Sequence, residues 1–272
     1  MLTATLTDTA LGTAHTIFRG RVEHSYRAAL YVRNAASGRL AVVAIEDVGG
    51  LPGGMLVDGI SDLRTLNAAG HPLVVDLSKA RSWSPHLPAA AKVARTDGLG
   101  GRLLLARALA AAGAGGPLRD PFADAAAPHI ASLRSALVSH DTDAARAAAL
   151  ALIGLGVGLT PSGDDFLVGL LAGLEATGHP ARLPLAASIA AQAPRRTTTI
   201  GANALEHAAA GEFTERLHDV VVAIADERAA GLARGIARAM AYGATSGADT
   251  LVGLFLALEI AAAETDSQRA AA

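Results

Sequence analysis

The sequence predicts an α+β protein, a small N-terminal β-barrel or sandwich followed by a larger all-α domain with an internal helical repeat. Three observations predict it. The first 85 residues break into short runs rich in β-branched and aromatic residues, set apart by turn residues. From residue 86 onward alanine and leucine dominate, and alanine favours helix. One stretch of the helical part then recurs 84 residues on, Asp249 standing where Asp165 stood. Two domains are expected, 1–85 and 86–272, the second with related loop–helix units at 154–176 and 243–261.

In order along the chain, strands are predicted at 15–18, 28–33, 40–45, 55–57 and 73–76, with turns at 34–38, 49–54 and Gly70-His71-Pro72. Trp83-Ser84-Pro85 closes this part, and Trp83 reads as a core residue at the domain junction. Helices are predicted over 89–96, 99–112, 122–138 and 142–153, separated by Gly-Gly-Pro, by Pro121 and by His140-Asp141. A glycine-rich loop and a buried helix follow. Further helices are predicted over 183–192, 200–210, 213–225 and 226–242, before the second loop and helix and a polar tail from Glu264 that frays.

Composition narrows the function classes. The chain has 272 residues, 51% hydrophobic but only 3% aromatic, so alanine, leucine and valine must fill its core. With 23 basic and 25 acidic residues, nothing points to a nucleic-acid groove or an anionic membrane surface. The absence of cysteine removes disulfides, thiolate catalysis and cysteine-held metals. The N-terminus lacks the basic start and apolar run of a signal peptide. The uncharged run 147–163 is broken by glycines and Pro161, short of the roughly 20 apolar residues of a membrane span. A cytoplasmic protein is therefore expected.

The central stretch runs Gly-Leu-Gly-Val-Gly-Leu-Thr-Pro-Ser-Gly-Asp-Asp-Phe-Leu-Val-Gly from Gly154 to Gly169. Gly154, Gly156 and Gly158 allow backbone angles closed to other residues and close approach of a ligand. Thr160 or Ser162 is expected to cap the helix that follows, with Asp164 and Asp165 in its first turn opposing the dipole. Gly169 and Gly173 share one helix face, where small residues permit close helix packing. The second copy, from Gly243, pairs Ser162 with Ser246, Asp165 with Asp249, Gly169 with Gly253 and Glu175 with Glu259, with one residue deleted at Pro161. Ala248 stands opposite Asp164, so one composite site is expected where the two loops meet.

Three groups of residues suggest chemistry. Asp164 and Asp165 with Asp249 form an acidic set, and Asp165 with Asp249 is a candidate magnesium site, since that cation takes oxygen ligands and bridges to phosphates. The bland reading of the same residues is a pair of first-turn acids, worth roughly 0.3–1 kcal/mol each. Backbone amides of Gly156, Gly158 and Gly163 with the hydroxyls of Thr160 and Ser162, joined by Ser246 and Gly247, are the expected cradle for a small anion. Arg195, Arg196, Thr197 and Thr198, in a loop before the helix of Asn203, would supply the cation such a site needs beside carboxylates. That loop reads equally as a solvated turn with a threonine cap. The glycine loop is neither a Walker motif nor a dinucleotide fingerprint, no Gly-x-Ser-x-Gly elbow occurs, and no two histidines have zinc-helix spacing. His207, after the arginine segment, is the one to inspect.

Residues 158–167, Gly-Leu-Thr-Pro-Ser-Gly-Asp-Asp-Phe-Leu, resemble the signature of a bacterial family that includes the AllH subunit of oxamate carbamoyltransferase. The resemblance extends more weakly to the β-rich start, Trp83-Ser84-Pro85, Arg196-Thr197-Thr198 and Ser246-Gly247-x-Asp249. It implies a role in purine and allantoin nitrogen catabolism, where oxalurate and phosphate are interconverted with oxamate and carbamoyl phosphate. It also implies FdrA-like and AllG-like companion subunits, and leaves a homo-oligomer open. From the chemistry, Asp164, Asp165 and Arg196 would be catalytic, while Gly156, Gly158, Thr160, Ser162, Gly163, Arg195, Thr197, Thr198, Asn203, Ser246 and Gly247 would hold substrate. The alternatives are a non-catalytic helical scaffold for partner enzymes, and a magnesium- and ATP-dependent ligase or kinase, for which the sequence offers no standard lysine.

Overall fold

A computed structural model describes residues 1–12, 16–66, 69–93, 98–113, 121–226 and 231–270, which form two compact units, 1–86 and 87–272. The first is a barrel. Its strands are β1 (Leu2–Asp8), β2 (Ile17–Ser25), β3 (Ala29–Asn34), β4 (Leu40–Ile45), β5 (Gly54–Val57) and β6 (Pro72–Asp76), with a single helical turn α1 (Thr9–Gly12) after the first. They pair in the order β5-β4-β3-β2-β6-β1, and β1 also pairs with β5, which closes the ring. A seventh strand, β7 (Arg81–Trp83), lies parallel along the far half of β1, beyond the residues that meet β6.

Alternation explains the inside. In β2, Phe18, Gly20 and Val22 point inward while Arg19, Arg21 and Glu23 point out, and Leu30, Val32, Val43, Met55 and Val75 complete the same core. Gly20 leaves room for the β3 side chain opposite, for a Cβ there would stand 2.5 Å from Val32 Cγ1. The five expected strands are present, except that residue 15 lies outside the described residues. The strand at 2–8 was not predicted, although it is the one that closes the barrel. Trp83 packs its ring over Gly50 within this unit.

The second unit is helical: α2 (Leu99–Gly113), α3 (Pro121–Val138), α4 (Thr142–Leu152), α5 (Ser162–Thr177), α6 (Arg182–Arg196), α7 (Thr199–Ala209), α8 (Glu215–Ala225), α9 (Leu232–Met240) and α10 (Ser246–Ala270). Asp141, Thr198 and Thr214 cap α4, α7 and α8 with their side chains. Three expectations change. The helix predicted at 89–96 is a single 3-10 turn at Ala89–Ala91 followed by extended Lys92, with 94–96 outside the described residues. The predicted helix 226–242 is only Leu232–Met240, and 227–230 are likewise outside. Arg195 and Arg196 do not sit in a loop, because α6 runs on through Pro194 and ends with them.

At the centre, α5 is buried along nearly its whole length and packs on α10. A Cβ on Gly169 would lie 1.8 Å from the Thr250 carbonyl oxygen, and one on Gly253 1.9 Å from that of Phe166. The two contacts are images of each other under the 84-residue offset. One turn on, Gly173 faces Ala257. The contacts advance together along both helices, so α5 and α10 run parallel, their backbones touching through glycine. Residues 246–265 of α10 are long and apolar enough to cross a membrane by composition, yet more than half of that stretch is buried inside this protein.

Candidate functional site

Parallel packing puts the starts of α5 and α10 side by side, and with them the two related loops. Their backbones match residue for residue apart from an insertion. Leu155 N–H bonds the Leu152 carbonyl as Tyr242 N–H bonds that of Ala239, and Gly163 N–H bonds Leu155 O as Gly247 N–H bonds Tyr242 O. Gly156 and Gly243, both at positive φ (113° and 66°), each turn against the following serine. From Gly156 to Ser162 is six positions, from Gly243 to Ser246 three. The first loop is thus three residues longer, where the sequence comparison placed one deletion at Pro161. No side chain caps α5: Pro161 precedes it and Ser162 is its first residue. Thr160 instead reaches across to the second loop, its hydroxyl 3.1 Å from that of Ser246.

The adjacent acids point to different neighbours. Asp164 is fully buried, accepting from Gly154 N–H at 2.8 Å and from the Thr197 hydroxyl. Burial raises its pKa, with those two bonds opposing. It thus ties the first loop to the junction of α6 and α7, where Gly201 leaves room for its carboxylate and Gly154 for the Arg196 carbonyl. Asp165 turns the other way, towards α10. It is 6% exposed, the hydroxyls of Ser246 and Thr160 bond to it, and one of its oxygens is buried without a hydrogen bond. Asp249, 9% exposed, lies within electrostatic reach. Burial first, then the carboxylates of Asp249 and Asp164, push Asp165 up to about 7 against the two hydroxyls. Two buried carboxylates that feel each other's charge suit either a shared proton or a divalent cation.

Two further residues stand here that sequence reasoning missed. Tyr242 occupies the position of Leu155 in the shorter loop, and burial together with the Asp165 carboxylate pushes its phenol up to about 12. The Arg216 guanidinium lies 5.7 Å from the centre of that ring and donates to the Arg238 carbonyl at 2.7 Å. The signal available in the sequence was the repeat itself, since a tyrosine replaces an aliphatic residue at the foot of the second loop.

The predicted cations lie at the end of α6, where the Arg196 carbonyl meets Gly154 of the first loop. Arg196 donates to the Leu150 carbonyl at 2.7 Å, near the end of α4, and Arg195 is exposed at the end of α6. The Thr198 hydroxyl caps α7 through Gly201 N–H and also donates to the Leu159 carbonyl, pinning the first loop. Asn203 is half-buried in α7, and Ser162 and Gly247 are buried at the starts of α5 and α10. Among the expected cradle amides, Gly163 and Gly247 are committed to Leu155 and Tyr242. His207 is a structural clamp, its Nδ1 2.5 Å from Glu212 Oε2.

A second cluster lies beyond the end of α5. His140 and His179, with rings stacked 5.6 Å apart, place their Nε2 atoms 3.8 and 3.9 Å from Glu264 Oε1. The three ligand atoms are close enough to suggest a metal centre. His179 Nδ1, however, accepts the Ala181 N–H at 3.1 Å, so its neutral ring carries hydrogen on Nε2, the atom that would have to bind. The cluster reads as a structural one that joins the α3–α4 turn to α10.

No solved structure matches the chain. The β-rich start and Trp83-Ser84-Pro85 also fall outside the family match, which begins at the end of α4 and runs through both loops into α10. Residues 152–258 match the family described as oxamate carbamoyltransferase subunit AllH, and over that stretch the chain is similar to it.

Proposed function

We propose that this chain is one subunit of an oxamate carbamoyltransferase-like enzyme and that its part of the active site is the paired loop region at the starts of α5 and α10. The observation that carries the reading is the Asp165–Asp249 pair, buried between two parallel helix starts inside the family-matched stretch. In carbamoyl transfer the acceptor amide nitrogen forms a bond to the carbamoyl carbon, the bond from that carbon to the phosphate oxygen breaks, and the nitrogen gives up one proton. A carboxylate held near pKa 7 is matched to accept it, and Asp165, pushed up to about 7, is such a group.

The remaining parts follow from position. The two helix starts and the Thr160 and Ser246 hydroxyls favour a small anion, with the Tyr242 phenol and the Arg216 charge on one side. Asp164 and Arg196 are assigned to holding the loop, because their bonds run to Gly154, Thr197 and Leu150. Magnesium at Asp165 and Asp249 is the second reading, favoured by the unbonded buried oxygen of Asp165. The test is calorimetry of the purified chain with phosphate, carbamoyl phosphate and oxamate, with and without magnesium, alongside activity of the assembled enzyme carrying Asp165→Asn. An anion that binds the wild type and an inactive variant support the site. Binding only with magnesium moves the reading to the metal, and an active Asp165→Asn enzyme ends it.

A further inference from the structure

The two loops differ most at the tip of the longer one. All three extra residues fall between Gly156 and Ser162, and there Val157 is 91% exposed and Leu159 45% exposed. Folding gives no reason for a valine and a leucine in water at a loop tip. Nor is the tip left loose, for three contacts hold its base: Gly156 against Ser162, Thr198 on the Leu159 carbonyl, and Thr160 on Ser246. An apolar knob on a braced stem has the form of an interface anchor, in which a few residues carry most of the binding energy. The shorter loop, with Ala244 and Thr245 in place of 157–161, has no such knob.

The position of the knob indicates its occupant. Thr160, at its foot, bonds to Asp165, so the loop whose tip is Val157 and Leu159 is the one that reaches the acid pair. The groups that oppose the raised pKa of Asp165 are hydroxyls rather than cations. A doubly charged phosphate ester entering there needs added positive charge, and Arg216 already gives its face to Tyr242 and a donor to Arg238. We infer that the 157–159 tip docks into an apolar socket of a non-identical subunit, whose flanking arginines or lysines complete the phosphate-binding half of the site. The inference rests on the reading of this chain as one subunit of a carbamoyltransferase. Two side chains cannot supply the roughly 1,200 Å² of a stable interface, so the tip anchors a wider contact rather than forming all of it.

The experiment combines the purified chain with the other subunits of that enzyme, co-expressed, and follows assembly by sedimentation velocity. Three variants are compared: Val157→Asp, a chain lacking residues 157–159, and Leu104→Asp as a control on the exposed face of α2. Val157→Asp is expected to weaken assembly about 30-fold or more while keeping the wild-type circular dichroism and melting temperature, and Leu104→Asp is expected to assemble as wild type does. The shortened chain is expected to match Val157→Asp. Equal assembly of Val157→Asp and wild type overturns the inference. So does self-association of the isolated chain that Val157→Asp abolishes, which would make the tip a contact between identical copies. Failure of the wild type to assemble overturns it as well. Asp165→Asn separates the two readings: assembling normally and remaining active, it removes the proposed catalytic site while the docking result stands.

Discussion

The two loop–helix units share a backbone and divide the chemistry between them. The first carries two acids, a braced apolar tip and the threonine that crosses to its partner. The second has Ala248 in place of one acid, a loop three residues shorter and Tyr242 in place of Leu155. Where the backbones touch, at Gly169 and Gly253, the two are images of each other, and where side chains meet solvent they are not. Symmetry is kept where close packing demands it and lost where a single site is built. Of the two adjacent aspartates, the one without a counterpart, Asp164, makes a structural tie, while the repeated one, Asp165, faces its copy.

The symmetric part can be broken first. Gly169→Ala is expected to cost about 3 kcal/mol or more, because the new methyl meets the backbone of α10 rather than a flexible side chain. Gly253→Ala should cost the same within about 1 kcal/mol in urea unfolding if the two contacts are energetically as well as geometrically equivalent.

Asp165→Asn comes next and separates stability from function. Activity of the assembled enzyme should fall by about 100-fold or more. A carboxyl raised to about 7 in the folded protein, against about 3.9 in the unfolded chain, contributes stability that is complete below pH 4 and lost as pH rises through 7. The asparagine variant, always neutral, should lose that dependence and be roughly 1–3 kcal/mol more stable than wild type at pH 8, with little advantage at pH 4. Parallel urea titrations at the two pH values check it. An unchanged pH profile would mean that Asp165 is ionised in the fold.

Two smaller effects sharpen the difference between the loops. Asp164→Ala leaves Gly154 N–H and the Thr197 hydroxyl without their acceptor and should cost about 2 kcal/mol in the same unfolding assay. Tyr242→Leu installs the residue of the first loop. It should cost about 1 kcal/mol or less in stability through the lost Arg216 contact, and weaken anion binding several-fold by calorimetry.

Much of this arrangement was legible in the sequence. The 84-residue repeat and the four-residue glycine spacing located the central helix pair, because close helix packing leaves a composition that no other constraint imitates. The barrel was legible from its turns. Its first strand was not, since the partners of Leu-Thr-Ala-Thr-Leu-Thr-Asp, β5, β6 and β7, lie far along the chain and no tight turn joins it to any of them. The helix predicted over 183–192 runs on to Arg196, because Pro194 is exposed near the end of α6, where the carbonyl bond it forgoes is not shut away from water. Tyr242 and Arg216 stayed hidden for a different reason: they come together only after α8, α9 and the second loop have packed, and local pattern carries no record of that meeting.

The parallel pairing of α5 and α10 also sets a schedule for synthesis. The glycine-lined face of α5 has its partner 84 residues downstream, so at 5–20 residues per second it waits about 4–17 s on the ribosome before its other half exists. During that interval the glycine-lined face of α5 is made but uncovered, and α10 must emerge before that part of the core can close. Truncation ahead of α10 would therefore leave the glycine-lined face of α5 uncovered even with α7 packed beside it, and slow or stalled translation before α10 is the point at which this chain is most exposed to chaperones and to aggregation.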